Sequence, residues 1–448
     1  MISRADRRAA GKALREKVSR RSHAGWKAHT NRPDPIDLLI ESSQGRMPKL
    51  VPIRYGRMMQ NPFAFYRGAA AIMASDLART PATKIRVQAC GDCHLMNFGG
   101  FATPERHLAF DINDFDETLP APWEWDVKRL AASLVIAGRH NGFRRADARE
   151  VAERSVRSYR QHMAEYAQYH VLQRWYELDT ETPLAETNRK GWQKKLTKAF
   201  AKARAARTTV EIDFPKLAHI RGGRIAIKDN PPLVFHRSAL KERAFDYLVK
   251  EAFRRYRATL SDDRQVLLDS FEMQDVAAKV VGVGSVGIRC AILLMMADEN
   301  DPLFLQVKEA RASVLEPHAG KSRYTNHGER VVAGQRLMQA GSDLFLGWTE
   351  VRGRHFYLCQ LRDAKIAPVP EVLDPPAMGR YAEWCGWALA RAHAKSGGVA
   401  TISGYLGASA RFDEAVARFG VEYADQNERD HQALLKAVRA GRVDVYRE

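Results

Sequence analysis

Between residues 277 and 363 the apolar pattern changes from helical spacing to short dense runs, and this change narrows the fold more than composition does. "AAKVVGVGSVGIRCAILLM" (277–295), "PLFLQVKEA" (302–310), "DLFLGWTEV" (343–351) and "RHFYLCQLRD" (354–363) read as strands, while "ERVVAGQRLMQ" (329–339) has helical spacing. Strands with one intervening helix pack as a small sheet unit inside an otherwise helical chain. Helical spacing marks "FAFYRGAAAIMASDLART" (63–80), "DVKRLAASLVIAGRHNG" (126–142), long stretches from about 146 to 208, "ALKERAFDYLVKEAFRRYRATL" (239–260) and the chain from 381 onward. "RIAIKDNPPLVFH" (224–236) reads as a strand, turn, strand insertion. The class is α+β. Four segments follow: a basic arm and irregular stretch (1–60) with Pro33, Pro35, Pro48 and Pro52, a large unit (61–276), the sheet unit (277–365) and C-terminal helices completing the large unit (366–448).

At 448 residues the chain is long enough for a sizeable core, and no apolar run is long enough to span a membrane. The basic N terminus lacks the apolar centre of a secretory signal, so a cytoplasmic location is expected. Five cysteines, an odd number, fit reduced thiols, and Cys90 and Cys93 have no second pair at zinc-finger spacing. Lys and Arg total 71 against 53 Asp and Glu, a net charge of +18, which favours anionic partners. The excess concentrates in the N-terminal arm and at 189–207, read as solvated helix faces; without a nucleic-acid module, nucleic acid is the less favoured partner.

Gly282, Gly284 and Gly287 form a G-x-G-x-x-G around Ser285. Glycines so spaced let backbone N–H groups approach phosphate oxygens. With a helix following, this would suit a dinucleotide, with Glu309 on the ribose. With a strand following and a lysine on the next strand, as Lys308 is placed, it would suit a kinase-type phosphate loop.

Elsewhere "KIRVQAC" (84–90) reads as a strand ending in "CGDCHLMNFGG" (90–100), and "RHLAFDIN" (106–113) leads to Asp111, Asp114 and Asp116 of "FDINDFDE". So many carboxylates at one strand end repel one another without a cation. A dinucleotide site has no use for them; phosphoryl transfer needs a carboxylate beside the nucleophile and hard oxygen ligands for Mg²⁺.

"GDCHLMNFG" with "INDFDE" resembles the catalytic segment of aminoglycoside phosphotransferases and their protein-kinase-like relatives, which carry H-G-D-x-H-x-x-N and then I-D-[FW]. A longer run, from "FAFYRGAA" through "FDINDFDETLPAPWEWDVKRLAASL", "VVGVGSVGIRC", "LFLQVKEA" and "LRDAK" to "ALARAHAKSG", resembles a bacterial family known as a domain of unknown function, over roughly residues 50 to 440. The kinase resemblance implies a two-lobed fold, with a large helical lobe and a small antiparallel-sheet lobe, and an ATP- and Mg²⁺-dependent phosphotransferase acting on an acceptor hydroxyl. Asp92 would be the catalytic base or orienting carboxylate and His94 a loop histidine. Asn97 and Asp114 would hold Mg²⁺, with Asp111 and Asp116 as alternatives. Asp126 would brace the loop. Gly282, Gly284, Ser285 and Gly287 would cover the nucleotide, and Lys308 would meet its phosphates with Glu329, or Gln335, as ion-pair partner. The glycine loop here follows the catalytic loop instead of preceding it, so the likeness requires a circular permutation.

Other readings remain: nucleotidyl transfer, a dinucleotide-binding oxidoreductase around 282–287, and a non-catalytic basic scaffold. A dinuclear phosphatase would need further histidine ligands that the sequence lacks. His393 reads as a satisfied helix-end histidine, and Trp123 and Trp125 as core. The acceptor is unassigned, with an anionic molecule favoured by the charge.

Overall fold

The apolar run after the glycine loop, which periodicity leaves open between strand and helix, is a strand in the computed structural model. Over Cys290–Met296, Ile292, Leu294 and Met296 face one buried cluster, and Leu293 and Met295 face another. Burial on both faces erases the alternation that marks a half-exposed strand. The structure describes residues 2–446 apart from 106, 177–216, 222–223, 232, 237–241, 281, 300 and 362–368. The basic stretch 189–207 and most of "LRDAK" lie outside the described residues.

Two short antiparallel pairs come first in the chain. β1 (Arg86–Ala89) pairs with β4 (Leu119–Pro122), and β2 (Phe98–Ala102) pairs with β3 (Leu108–Ile112). A hairpin of β5 (Ala218–Arg221) and β6 (Arg224–Ile227) follows. The main sheet contains β7 (Val234–Phe235), β8 (Glu272–Lys279), β9 (Cys290–Met296), β10 (Pro302–Ala310), β11 (Gly347–Val351) and β12 (Arg354–Gln360). Its spatial order is β11-β12-β10-β9-β8-β7, antiparallel throughout. The glycine loop therefore joins adjacent strands β8 and β9, and helix His327–Met338 lies between β10 and β11 in sequence.

The sheet reaches beyond 277–365. β8 begins at Glu272, and Val234–Phe235 joins the edge, so β6 and β7 enter different sheets instead of pairing. Reciprocal hydrogen bonds between Asn230 and Val234 (2.7 and 2.9 Å) turn the chain before it can run back along β6. Helices Glu242–Arg257 and Asp262–Asp269 supply Tyr256 and Leu268, and the turn between them Leu260, to the cluster on one face of this sheet, and the Tyr256 hydroxyl donates to the Phe345 carbonyl at 2.6 Å.

The stretch expected to be irregular is also helical in part. Pro35 opens helix Pro35–Ser43, whose first turn the Asp34 carboxylate caps, and Pro52 lies in the first turn of Val51–Met58. A proline at such a position lacks only an N–H that the helix would leave unpaired. The basic arm forms helix Arg4–Lys17 and docks on helix Val399–Leu406. A Cβ on Gly11 would stand 1.9 Å from the Thr401 carbonyl oxygen, so only glycine permits that crossing.

Helices Trp123–His140, Arg145–Tyr166, Pro375–Ser396 and Arg411–Arg439 build the largest core. Trp123 and Trp125 are buried in it, Trp123 stacked on Tyr159 with ring centres 5.7 Å apart.

Candidate functional site

The loop after β1 is held from behind. Gly91 has φ +83°, and a Cβ there would lie 2.5 Å from the Glu117 carbonyl oxygen, so the turn into Asp92 requires glycine. Asp126, in the first turn of Trp123–His140, accepts the Cys90 and Gly91 backbone N–H groups at 2.8 and 3.0 Å, and His393 Nε2 lies 3.2 Å from it. His393 Nδ1 meets the Tyr159 hydroxyl at 2.9 Å, so this histidine is satisfied inside the core. The Cys90 and Cys93 thiols lie close to Asp126; burial pushes both upward, Cys93 to about 11, so they remain protonated packing groups.

Asp92 is oriented by Arg129. The guanidinium donates twice to Asp92 Oδ1, from Nε at 2.8 Å and from a terminal nitrogen, and lies over the Tyr66 ring, 4.5 Å from its centre. This leaves Asp92 Oδ2 toward the glycine loop, 4.0 Å from where a Cβ on Gly284 would stand. His94 Nε2 is 3.9 Å from the same oxygen, but burial pushes the His94 ring down to about 4, so it is neutral there. The Asn97 amide donates to the Asp92 carbonyl at 2.7 Å, which leaves its side-chain oxygen for a cation.

The acidic residues divide into two roles. Asp111 is fully buried, pairs with Arg391 at 2.8 Å and accepts the Ile112 and Ala340 N–H groups, so both its oxygens are engaged inside the core. Asp114 Oδ1 accepts the Asp116 N–H at 3.1 Å. Burial, and after it the Asp116 carboxylate, pushes Asp114 up to about 6. Asp116 accepts Lys308 Nζ at 3.0 Å and the Ser285 hydroxyl at 3.2 Å on Oδ2, and the Tyr357 hydroxyl at 2.5 Å on Oδ1. Burial opposes the charge on both partners, but their mutual attraction outweighs it: Lys308 is raised and Asp116 lowered.

The expected partner of Lys308 is corrected by this pair. Glu329 sits in the first turn of His327–Met338, its N–H held by Asn326, and its charge acts on Arg323; Gln335 donates to Gln339. The residue of that helix that reaches the site is Arg330, which donates to the carbonyls of Asp116, Thr118 and Arg311. Glu309 is held by Arg289 and Arg354, and a strand follows the glycine loop, so neither condition for the dinucleotide site is met.

Asp92, Asn97, Asp114, Asp116, the glycine loop and Lys308 thus converge. Sequence reasoning missed Arg129, Tyr357 and Arg330. Arg129 and Arg330 carried a readable signal, a charge on an otherwise apolar helix face; Tyr357 looked like any strand aromatic.

The family described as "Uncharacterized protein conserved in bacteria" (DUF2252) matches residues 46–437, and the chain belongs to it. The match takes in the Asp92 loop and Lys308 alike. No curated protein and no solved structure matches. Among the described residues, no helix is long and apolar enough to cross a membrane.

Proposed function

We propose that this protein is an ATP- and Mg²⁺-dependent phosphotransferase, passing the γ-phosphoryl group to an acceptor hydroxyl within a two-lobed, kinase-like and circularly permuted arrangement. One observation carries the reading: Lys308, on the strand after the glycine hairpin, lies 3.0 Å from Asp116, 192 residues earlier and beside the Asp92 loop. The loop's position between two antiparallel strands, with the lysine on the third, supports a phosphate loop of the kinase type.

The donor set fits the cation. Asn97, Asp114 and Asp116 offer hard oxygens; Asp114 is pushed up by burial first and by the Asp116 carboxylate second, and a divalent ion bound there would favour its charged form. Mg²⁺ would supply charge neutralisation of the phosphates when bound. The chain's own residues do the rest. Arg129 fixes Asp92 with one oxygen forward, where it can align an acceptor hydroxyl and take its proton. Lys308 provides a fixed positive charge, and the backbone of 282–287 can cover phosphate oxygens. Asp126 and Arg330 hold the two acidic segments in register.

Thermal unfolding with Mg·ATP and, separately, with NAD or NADP tests the reading. Mg·ATP should raise Tm and the dinucleotides should not. A rise with a dinucleotide and none with Mg·ATP would overturn it.

A further inference from the structure

Arg67 lies in the last turn of helix Pro62–Gly68, beside the glycine loop. A Cβ on Gly284 would stand 3.4 Å from its carbonyl oxygen, and one on Gly282 would stand 4.0 Å from its guanidinium. Other arginines near the site are committed: Arg129 to Asp92, Arg330 to three carbonyls, Arg391 to Asp111. Arg67 makes no hydrogen bond or ion pair with the described residues, and its Nε is buried without a partner. Burial lowers its basicity, and the charges that oppose this are Asp92, Glu371 and Asp114. A half-buried guanidinium with its Nε sealed from water and no partner among the described residues, beside a phosphate-type loop, is complementary to an oxyanion that arrives between them.

We propose that Arg67 binds the phosphoryl group in transit, an inference that rests on the phosphotransferase reading and adds a residue to it. The placement follows from the two cations. Lys308 belongs to Asp116, whereas Arg67 lies on the Asp92 side, where the acceptor attacks. In the transfer, the acceptor oxygen forms a bond to the γ-phosphorus as the bond from that phosphorus to the β–γ bridging oxygen breaks. The electron pair leaves with ADP, and the acceptor proton passes to Asp92 and then to solvent. Arg67 donates N–H bonds to the oxygens that carry charge during this exchange, as an arginine supplied to other phosphoryl-transfer sites does.

Isothermal titration of the full chain with Mg·ADP, alone and with aluminium fluoride, tests this on wild type, Arg67→Met and Arg67→Lys. Aluminium fluoride with ADP mimics the group in transit, so wild type should bind the pair more tightly than ADP. Arg67→Met should keep Mg·ADP affinity within about twofold and lose at least about tenfold for the fluoroaluminate complex, with Arg67→Lys between. If Arg67→Met lacks the wild-type circular dichroism, Arg67→Lys is read by the same criterion. Equal loss for both ligands, no loss for either, or a wild type that gains nothing from fluoride overturns the inference and leaves nucleotide binding intact. A wild type that binds neither ligand overturns the phosphotransferase reading itself.

Discussion

Lys308 Nζ lies 3.0 Å from Asp116 Oδ2, both side chains largely withdrawn from water. Truncating one partner of such a pair strands the other charge, so Lys308→Met should destabilise the fold by on the order of 3 kcal/mol. It should also abolish any rise in Tm caused by Mg·ATP. Denaturant unfolding and thermal shift check the two effects; retention of the nucleotide effect would separate Lys308 from the phosphates.

Asp92→Asn preserves shape but removes the charge that Arg129 orients. Mg·ATP binding should persist, while turnover falls by about 10²- to 10⁴-fold. ADP release, with water standing in for the acceptor, provides the assay. Unchanged turnover would deny Asp92 its role.

Two neighbouring aspartates should fail in different ways. Asp111→Asn leaves the buried Arg391 without its carboxylate and should cost on the order of 3 kcal/mol of stability, with metal binding unchanged in the folded fraction. Asp114→Ala should keep stability near wild type and eliminate Mn²⁺ binding followed by electron paramagnetic resonance. The reverse pattern would exchange their assignments.

His94 should make the protein acid-sensitive. Its folded value is pushed down to about 4 from 6.5, so below about pH 6.5 the unfolded chain takes up a proton that the folded loop refuses. Stability should therefore fall from about pH 6.5 to about pH 4, by on the order of 3 kcal/mol from this group. Denaturation midpoints across that window should decline less steeply in His94→Gln. Some slope will remain, because the buried His23 is pushed down too.

Much of this was legible where spacing is local. β10 occupies 302–310 as read, and the helix between the strands differs from its reading by two residues at its start and one at its end, because turns and apolar periods mark such boundaries. The N-terminal prolines misled because a proline in the first helical turn looks like one in a loop. The division of labour among Asp111, Asp114 and Asp116 was not legible, since what distinguishes them is Arg391, Lys308 and Tyr357, all far along the chain. For the same reason Glu329, placed by its position on the helix, yields to a carboxylate that arrives from another segment.

The Ser285 hydroxyl rests on the carboxylate that also holds Lys308, 3.2 Å away. On the proposed function, a nucleotide phosphate entering between Ser285 and Asp116 displaces that hydroxyl, so part of its grip is consumed in parting the protein from itself. Measured affinity will understate the intrinsic strength of the assembled cradle by the fraction of time the loop stands away. Removing one oxygen, in Ser285→Ala, should therefore make the protein easier to enter without adding any new attraction for the occupant.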